Sequence, residues 1–134
     1  MVKRIRIKSE IANLRIIEKA VDEITAQAKV SSNCYGKILV AVLEAVNNAI
    51  VHGNKSLPDK FVDVAMKYSD DTFTVIVKDE GPGFSPENVP DPTLPENIEN
   101  VDGRGIFLMT KLSDEIEFND KGNMVTFVFN NIAS

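Results

Sequence analysis

Two polar side chains that could do chemistry lie in an almost wholly apolar stretch, residues 38–53. Glu44 and Asn48 lie four positions apart, so on a helix they share one face. Because the neighbouring residues are apolar all round, we predict that this helix is buried. A buried carboxylate and amide need partners. The pair therefore indicates either a satisfied hydrogen-bond pair in the core or a site for a metal ion or polar ligand.

Two glycine-containing segments downstream could complete such a site. The first, Asp79–Gly83, follows a predicted strand, and its carboxylate could accept a hydrogen bond from an amino group while Gly81 and Gly83 leave room for a flat ring. The second, Gly103–Gly105, precedes a predicted helix, where backbone N–H groups and the Arg104 guanidinium suit phosphate oxygens. Each segment alone is common as an ordinary turn or surface feature, so only their combination favours a ligand site.

The chemistry that these groups suit involves a hard cation and a phosphate. Asn48 offers a neutral oxygen of the kind that Mg²⁺ accepts as a ligand. Glu44, one turn earlier, is placed to polarise a hydroxyl group or a water near that ion. With one histidine and one cysteine in the chain, a zinc site is not credible.

Hydrophobic periodicity predicts the elements that would position these residues. A strand over 3–8 leads to an amphipathic helix over 10–29, with Ser9 as its cap, and Gly53 stops the apolar helix at 34–52. In the strand over 72–79, alternation places Asp79 on the apolar face. The remaining predicted elements are strands at 61–68, 115–119 and 123–130, an irregular loop at 80–103 and a short helix at 104–112. This order predicts an α/β (α+β) two-layer sandwich, with a mixed, mostly antiparallel sheet and helices on one face.

Composition narrows the class of protein. The 134 residues suit one domain, residues 1–134. The net charge of −5 disfavours sequence-independent binding to nucleic acid. Cys34 fits a reducing compartment, and the longest apolar run is shorter than a membrane span requires. The alternating N-terminal residues do not look like a signal peptide, so we expect a cytoplasmic protein that binds neither membrane nor nucleic acid directly.

Taken together, the three segments resemble the N, G1 and G2 boxes of the GHKL (Bergerat-fold) ATPases. Within that superfamily, residues 44–53 and 103–109, followed closely by Asp114-Glu115-Ile116, resemble the bacterial anti-sigma factor serine/threonine kinases. The resemblance covers nearly the whole chain. It implies an enzyme that binds Mg-ATP, phosphorylates a small anti-anti-sigma protein of the STAS type and sequesters a sigma factor, and it implies a homodimer.

The resemblance also implies a role for each motif residue. Glu44 would be the general base and Asn48 the Mg²⁺ ligand. Asp79 would bind the adenine amino group, with Gly81 and Gly83 beside the base. Phosphates would be bound by Gly103 and Gly105, and Arg104 would reach the terminal phosphate or the partner. Residues of about 84–102 would form an ATP lid, whose closure could couple nucleotide state to partner binding.

The last motif of the family departs from its usual Gly-Thr-Thr. Here it reads Gly122-Asn123-Met124, so the hydroxyl that helps to hold adenine is missing, and Asn123 can replace it only if it faces the site. The departure leaves open an alternative, a non-catalytic module whose partner binding is gated by ATP. A histidine kinase domain is disfavoured because no phospho-acceptor hairpin fits in this length, and a gyrase-like or chaperone-like ATPase because its further domains are absent.

Overall fold

The computed structural model describes residues 1–81 and 101–132. The chain begins with strand β1 (Val2–Lys8), a 3-10 turn (Ile11–Asn13) and helix α1 (Leu14–Gln27). Helix α2 (Ser32–Asn48) continues as a turn of π-helix (Ala49–Gly53). The remaining elements are β2 (Phe61–Ser69), β3 (Thr72–Lys78), α3 (Val101–Leu112), β4 (Glu115–Phe118) and β5 (Met124–Asn130). The predicted elements are therefore present, although α3 begins three residues before the predicted position.

The five strands form one sheet in the order β1-β2-β3-β5-β4. Every described pairing is antiparallel, so the two-layer prediction is confirmed while the described sheet is not mixed. Alternate residues of the strands face the helices and are buried, among them Val64, Phe73, Val75 and Phe127. Asp79 follows this alternation directly after β3 and is buried, as predicted.

Helix α2 has one buried face rather than the all-round burial that we predicted. Ile38, Ala41, Val42 and Ala45 pack in the core, whereas Val40 is 41% exposed. The prediction was wrong because apolar residues such as Val40 also occupy the solvent-facing side of this helix. The cap at its start is Ser31, whose hydroxyl accepts a hydrogen bond from the Cys34 N–H.

Within the described residues, the helical stretch Ser32–Gly53 is long and apolar enough to cross a membrane by length and composition alone. Its buried face packs on the sheet, as a core helix does, and helices of this kind pass the same test in proteins that never enter a membrane. This stretch therefore does not indicate a membrane protein.

Candidate functional site: a buried aspartate between two glycines

The end of α2 widens into a π-turn, and this local change positions the site. The N–H of Asn54 donates to the carbonyl of Ala49 (2.8 Å), and the N–H of Ser56 donates to the carbonyl of Ile50 (2.8 Å). Turns of π-helix are rare and are often found at functional sites. Gly53, the last residue of this turn, lies against Asp79, the residue that follows β3.

Gly53, Asp79 and Gly81 interlock so closely that neither glycine could carry a side chain. A Cβ atom on Gly53 would lie 2.4 Å from Cγ and from Oδ2 of Asp79. A Cβ atom on Gly81 would lie 1.9 Å from the carbonyl oxygen of Gly53. The end of the apolar helical segment, at Gly53, is therefore in direct contact with the segment that begins at Asp79. Glycine is required at Gly53 and Gly81 because the two backbones approach closely, not because of an unusual backbone conformation.

The Asp79 carboxylate is largely buried and accepts one hydrogen bond from the residues that the structure describes. It is 9% exposed, and its Oδ1 accepts a hydrogen bond from the Gly81 N–H (2.8 Å). Burial raises the pKa of Asp79, while the Gly81 N–H and the positive charge of Lys121 oppose that rise. No described residue donates to Oδ2, so this oxygen is available to an amino group of a ligand.

Asn54 holds the backbone around Asp79, and sequence analysis missed it. Its side chain is almost fully buried; Nδ2 donates to Ser9 Oγ (2.7 Å) and to the Phe61 carbonyl (2.9 Å), and Oδ1 accepts from the Glu80 N–H (2.7 Å). Ser9 is consequently not the helix cap that we predicted, because its hydroxyl donates to the Lys60 carbonyl (2.9 Å) instead. The only sequence signal was a polar residue directly after the glycine that ends α2.

The altered last motif does face the site. Asn123 is 8% exposed; its carbonyl oxygen accepts from the Asp79 N–H (2.9 Å), and its side-chain Nδ2 donates to the Asp79 carbonyl (3.3 Å). Asn119, in the turn between β4 and β5, donates from Nδ2 to Asn123 Oδ1 (2.8 Å). Both peptide groups that flank the Asp79 Cα are thus tied to one residue of the last motif.

A small pocket opens beside Asp79, between α2, β3, β5 and α3. Its wall is formed by residues of all these elements: Ala45, Asn48, Ala49, Val77, Asp79, Met109, Phe118, Gly122, Asn123, Met124 and Val125. The volume open to the centre of a water molecule is about 20 Å³, which is enough for one or two waters. A purine ring would therefore enter only as flexible wall side chains such as Met124 turn aside.

The structure brings Asn48 and Asp79 to one pocket and leaves Glu44 one turn away from it. Asn48 and Glu44 are both half-buried on α2, and no described residue forms a hydrogen bond with either side chain. The alternative of a satisfied pair in the core is thus not supported within the described part of the chain. One amide oxygen fits Mg²⁺ if phosphate and water oxygens supply the other ligands, as that ion prefers.

The third predicted segment lies at the start of α3. Because α3 begins at Val101, Gly103 lies in its first turn, where backbone N–H groups lack helical partners, and Gly105 lies just beyond that turn. Further along, Ile106 and Met109 are buried and anchor the helix in the core. Gly83 and the predicted lid residues up to 100 lie outside the described residues, and the proposed roles of Gly103, Arg104 and Gly105 remain predictions.

These features identify the class of protein. Residues 7–129 match the family model of the histidine kinase-like ATPase domain, and the chain belongs to that family. The resemblance to the GHKL ATPases is thereby confirmed.

Individual relatives narrow the comparison. The chain is 30% identical over 129 residues to an anti-sigma F factor from Heyndrickxia coagulans, covering 93% of this chain and 78% of that protein. It is 26% identical over 118 residues to the serine-protein kinase RsbW of Staphylococcus epidermidis, covering 83% of this chain and 74% of the kinase.

A solved structure shows the same fold. The RsbU and RsbW domains of Rv1364c from Mycobacterium tuberculosis superpose on 98% of this chain with a TM-score of 0.66 and 17% sequence identity. The chain spans 32% of the length of that protein, so the likeness concerns the fold of one part of it.

Proposed function

We propose that this chain is a cytoplasmic anti-sigma factor kinase that binds Mg-ATP, phosphorylates a small anti-anti-sigma protein of the STAS type on serine or threonine, and sequesters a sigma factor. The relatives named above include an anti-sigma F factor and a serine-protein kinase. Their names support a kinase of this type, and the residues below supply the chemistry that such a kinase needs.

The observation that carries the proposal is the Asp79 carboxylate, buried against two glycines and beside the Asn48 pocket. A buried acid whose Oδ2 receives no hydrogen bond from the described residues suits a ligand that brings its own donor, because an unpaired buried charge is costly. The exocyclic amino group of adenine is such a donor. By resemblance, Gly81 and Gly83 would lie beside the base, and the base would need flexible wall side chains such as Met124 to turn aside.

Residues of α2 and α3 would form the part of the site that binds the phosphates. Asn48 would hold Mg²⁺, which when bound neutralises charge on the phosphates. The backbone N–H groups of Gly103 and Gly105 and the guanidinium of Arg104 would bind phosphate oxygens. Glu44 would accept the proton of the substrate hydroxyl while the hydroxyl oxygen bonds to the terminal phosphorus. The bond from that phosphorus to the bridging oxygen would break, and ADP would leave.

Transfer of phosphate tests the proposal. The wild-type protein is incubated with Mg-ATP labelled at the terminal phosphate and a panel of STAS-type proteins from the same genome. We expect label on a serine or threonine of one of them, and much less with Glu44→Gln. If no panel member is labelled, although the wild type binds ATP and Glu44→Gln binds it equally, the kinase activity is contradicted.

The second candidate is a module whose partner binding is gated by ATP without catalysis. The observation that favours it is the position of Glu44, which does not line the pocket that holds Asn48 and Asp79. In that case ATP would tighten binding to a sigma factor, measured by titration, and Glu44→Gln would leave this tightening unchanged. The relative that is named a kinase favours the catalytic candidate.

We further propose that the protein is a homodimer joined through the outer face of its sheet, the face that the helices leave uncovered. Across this face the register aligns Arg4, Ala65, Ile76, Thr126 and Glu117 in one row. Arg4 at one edge and Glu117 at the other are exposed, and neither has a partner among the described residues. The middle of the row is partly apolar.

This charge pattern selects one arrangement of two copies. A two-fold axis along the strands stacks β1 of one copy over β4 of the other and places Ile76 opposite its symmetry mate. Arg4 then faces the partner's Glu117 at both ends of the row. A two-fold axis across the strands would instead set Arg4 against the partner's Arg4, and like charges repel.

Molar mass in solution tests this interface. We expect a dimer for the wild type, and a monomer for Ile76→Asp and for Arg4→Glu. The double variant Arg4→Glu with Glu117→Arg restores opposite charges and should restore the dimer. A wild type that stays monomeric at high concentration contradicts the dimer. If all of these variants remain dimeric, the proposed interface is contradicted.

A further inference from the structure

The turn between β4 and β5 fixes the orientation of the Asn123 amide. Asn119 Oδ1 lies within hydrogen-bond distance of three backbone N–H groups, those of Gly122 (2.8 Å), Asn123 (3.0 Å) and Met124 (3.1 Å). Only an oxygen can accept from three donors. The other end of the Asn119 side chain is therefore its NH₂ group, and its orientation is not open to a flip.

The orientation of the Asn119 amide determines that of the Asn123 side-chain amide. Because Asn119 Nδ2 is a donor, the Asn123 atom 2.8 Å from it must be the acceptor, Oδ1. The Asn123 NH₂ group then points the other way, toward the Asp79 carbonyl at 3.3 Å. One of its two hydrogens serves that carbonyl, and the second has no acceptor among the described residues.

An amide donor on Asn123 and a carboxylate acceptor on Asp79 therefore belong to residues that line one pocket. Asn123 lines the same pocket as Asp79, and its backbone carbonyl holds the Asp79 N–H, so the two side chains are fixed relative to each other. The edge of adenine has the complementary pattern, with an amino donor next to the ring nitrogen N1, an acceptor. Guanine and hypoxanthine carry a hydrogen on N1 and an oxygen in place of the amino group.

We propose that Asn123 is a specificity-determining residue whose amide donates a hydrogen bond directly to N1 of adenine, and that Asn119 is the positioning residue that keeps this donor facing the pocket. The amide then replaces the missing hydroxyl of the last motif. This inference rests on the adenine-nucleotide site proposed above and adds to it the group that reads the base.

Calorimetric titration with ATP and with 1-deaza-ATP, in which N1 is a carbon, isolates this contact. The wild type should bind ATP about fivefold more tightly than the analogue, as expected for one neutral hydrogen bond. With Asn123→Ala the two affinities should become equal, because the donor is gone. A preference for ATP that is unchanged in Asn123→Ala overturns the inference.

Asn119→Asp separates positioning from folding. A carboxylate still accepts from the three N–H groups of the turn, so the melting temperature should change little, whereas Asn119→Ala should lower it. The carboxylate cannot donate to Asn123 Oδ1, so the Asn123 amide should turn over and the preference for ATP should be lost. A stable Asn119→Asp variant that keeps the full preference contradicts the positioning role.

Binding that is measured directly keeps the two proposals distinguishable. If the wild type binds both nucleotides with the expected preference but transfers no phosphate, the kinase proposal fails and the inference about Asn123 stands. If ATP binds, and Asp79→Asn abolishes that binding, but Asn123→Ala changes nothing, the inference fails and the nucleotide site stands. If the wild type binds no ATP, both fail.

Discussion

Gly53 at the end of α2 lies against the carboxylate of Asp79 after β3, with no room for even one methyl group between them. Gly53 and Asp79, which are separated in sequence by the hairpin of β2 and β3, are thus in direct contact. The contact joins the element that carries Glu44 and Asn48 to the residue that would read the base. This contact therefore helps to fix the positions of Glu44 and Asn48 relative to Asp79.

Substitution of Gly53 by alanine should damage both fold and site. The new Cβ would overlap the Asp79 carboxylate, and overpacking of this kind costs about 1–3 kcal/mol of unfolding free energy. Urea denaturation measures the loss, and titration with Mg-ATP should show much weaker binding.

Gly36→Ala is the matched control for that substitution. Gly36 lies in α2, upstream of the π-turn that holds Gly53, and a Cβ there would meet nothing within 4 Å. Alanine should raise the unfolding free energy by about 0.5–1 kcal/mol, since glycine is a poor helix former. Equal effects of the two substitutions would contradict the close contact between Gly53 and Asp79.

Asp79→Asn should make the nucleotide-free protein more stable and unable to bind ATP. Asparagine keeps an oxygen for the Gly81 N–H but removes a buried charge, and relief of a strained functional site commonly adds about 1 kcal/mol. Chemical denaturation without ligand measures the gain. A less stable variant would show that the charge of Asp79 supports the fold.

The stability difference between Asp79→Asn and the wild type should depend on pH. Burial raises the pKa of Asp79, so between the unfolded and folded pKa values the folded state binds more protons. The contribution of Asp79 to stability is thus present below the unfolded pKa and is lost as pH rises through the folded pKa. Denaturation across this acidic range should show the advantage of Asp79→Asn growing with pH, and a constant difference would contradict a raised pKa.

Asn54→Ala should be among the more costly polar substitutions in the chain. It would leave the part-buried Glu80 N–H without its acceptor and would remove donors to Ser9 and Phe61. We expect a loss of about 2–3 kcal/mol in unfolding free energy. The exposed Asn33 provides the control, and an Asn54→Ala variant as stable as Asn33→Ala would show that Asn54 does not support the loop.

Glu44→Gln should separate binding from catalysis. The amide keeps the shape of the side chain but cannot accept a proton, and loss of a general base typically slows a reaction by about 10²- to 10⁴-fold. ATP affinity should change little. Glu18→Gln on the exposed side of α1 is the control, and equal transfer rates in both variants would remove Glu44 from the chemistry.

Much of this fold could be predicted from the sequence because its periodicity is regular. Alternation of side chains along β3 predicted its inner face and hence the burial of Asp79. Gly53 predicted where the helical stretch that contains α2 ends. The π-turn was not predicted, because no residue pattern distinguishes it from an ordinary helix end. Asn54 was missed since its three partners come from distant parts of the chain and meet only in the folded protein.

The position of the altered last motif illustrates the same limit. Sequence alone could say that Asn123 lacks a hydroxyl but not which way its amide points. That orientation depends on Asn119, four residues earlier, and on three N–H groups of a turn in which Gly122 adopts a φ of 78°. Local turn geometry therefore fixes an amide orientation that residue type left open.

The most direct test of a nucleotide site at Asp79 is to measure the melting temperature with and without Mg-ATP, for the wild type and for Asp79→Asn. A ligand at 100 times its Kd stabilises the folded state by about 2.7 kcal/mol, which should raise the melting temperature by several degrees in a domain of this size. We predict this shift in the wild type and its loss in the variant. No shift in the wild type, or an equal shift in both proteins, would contradict a nucleotide site built around Asp79.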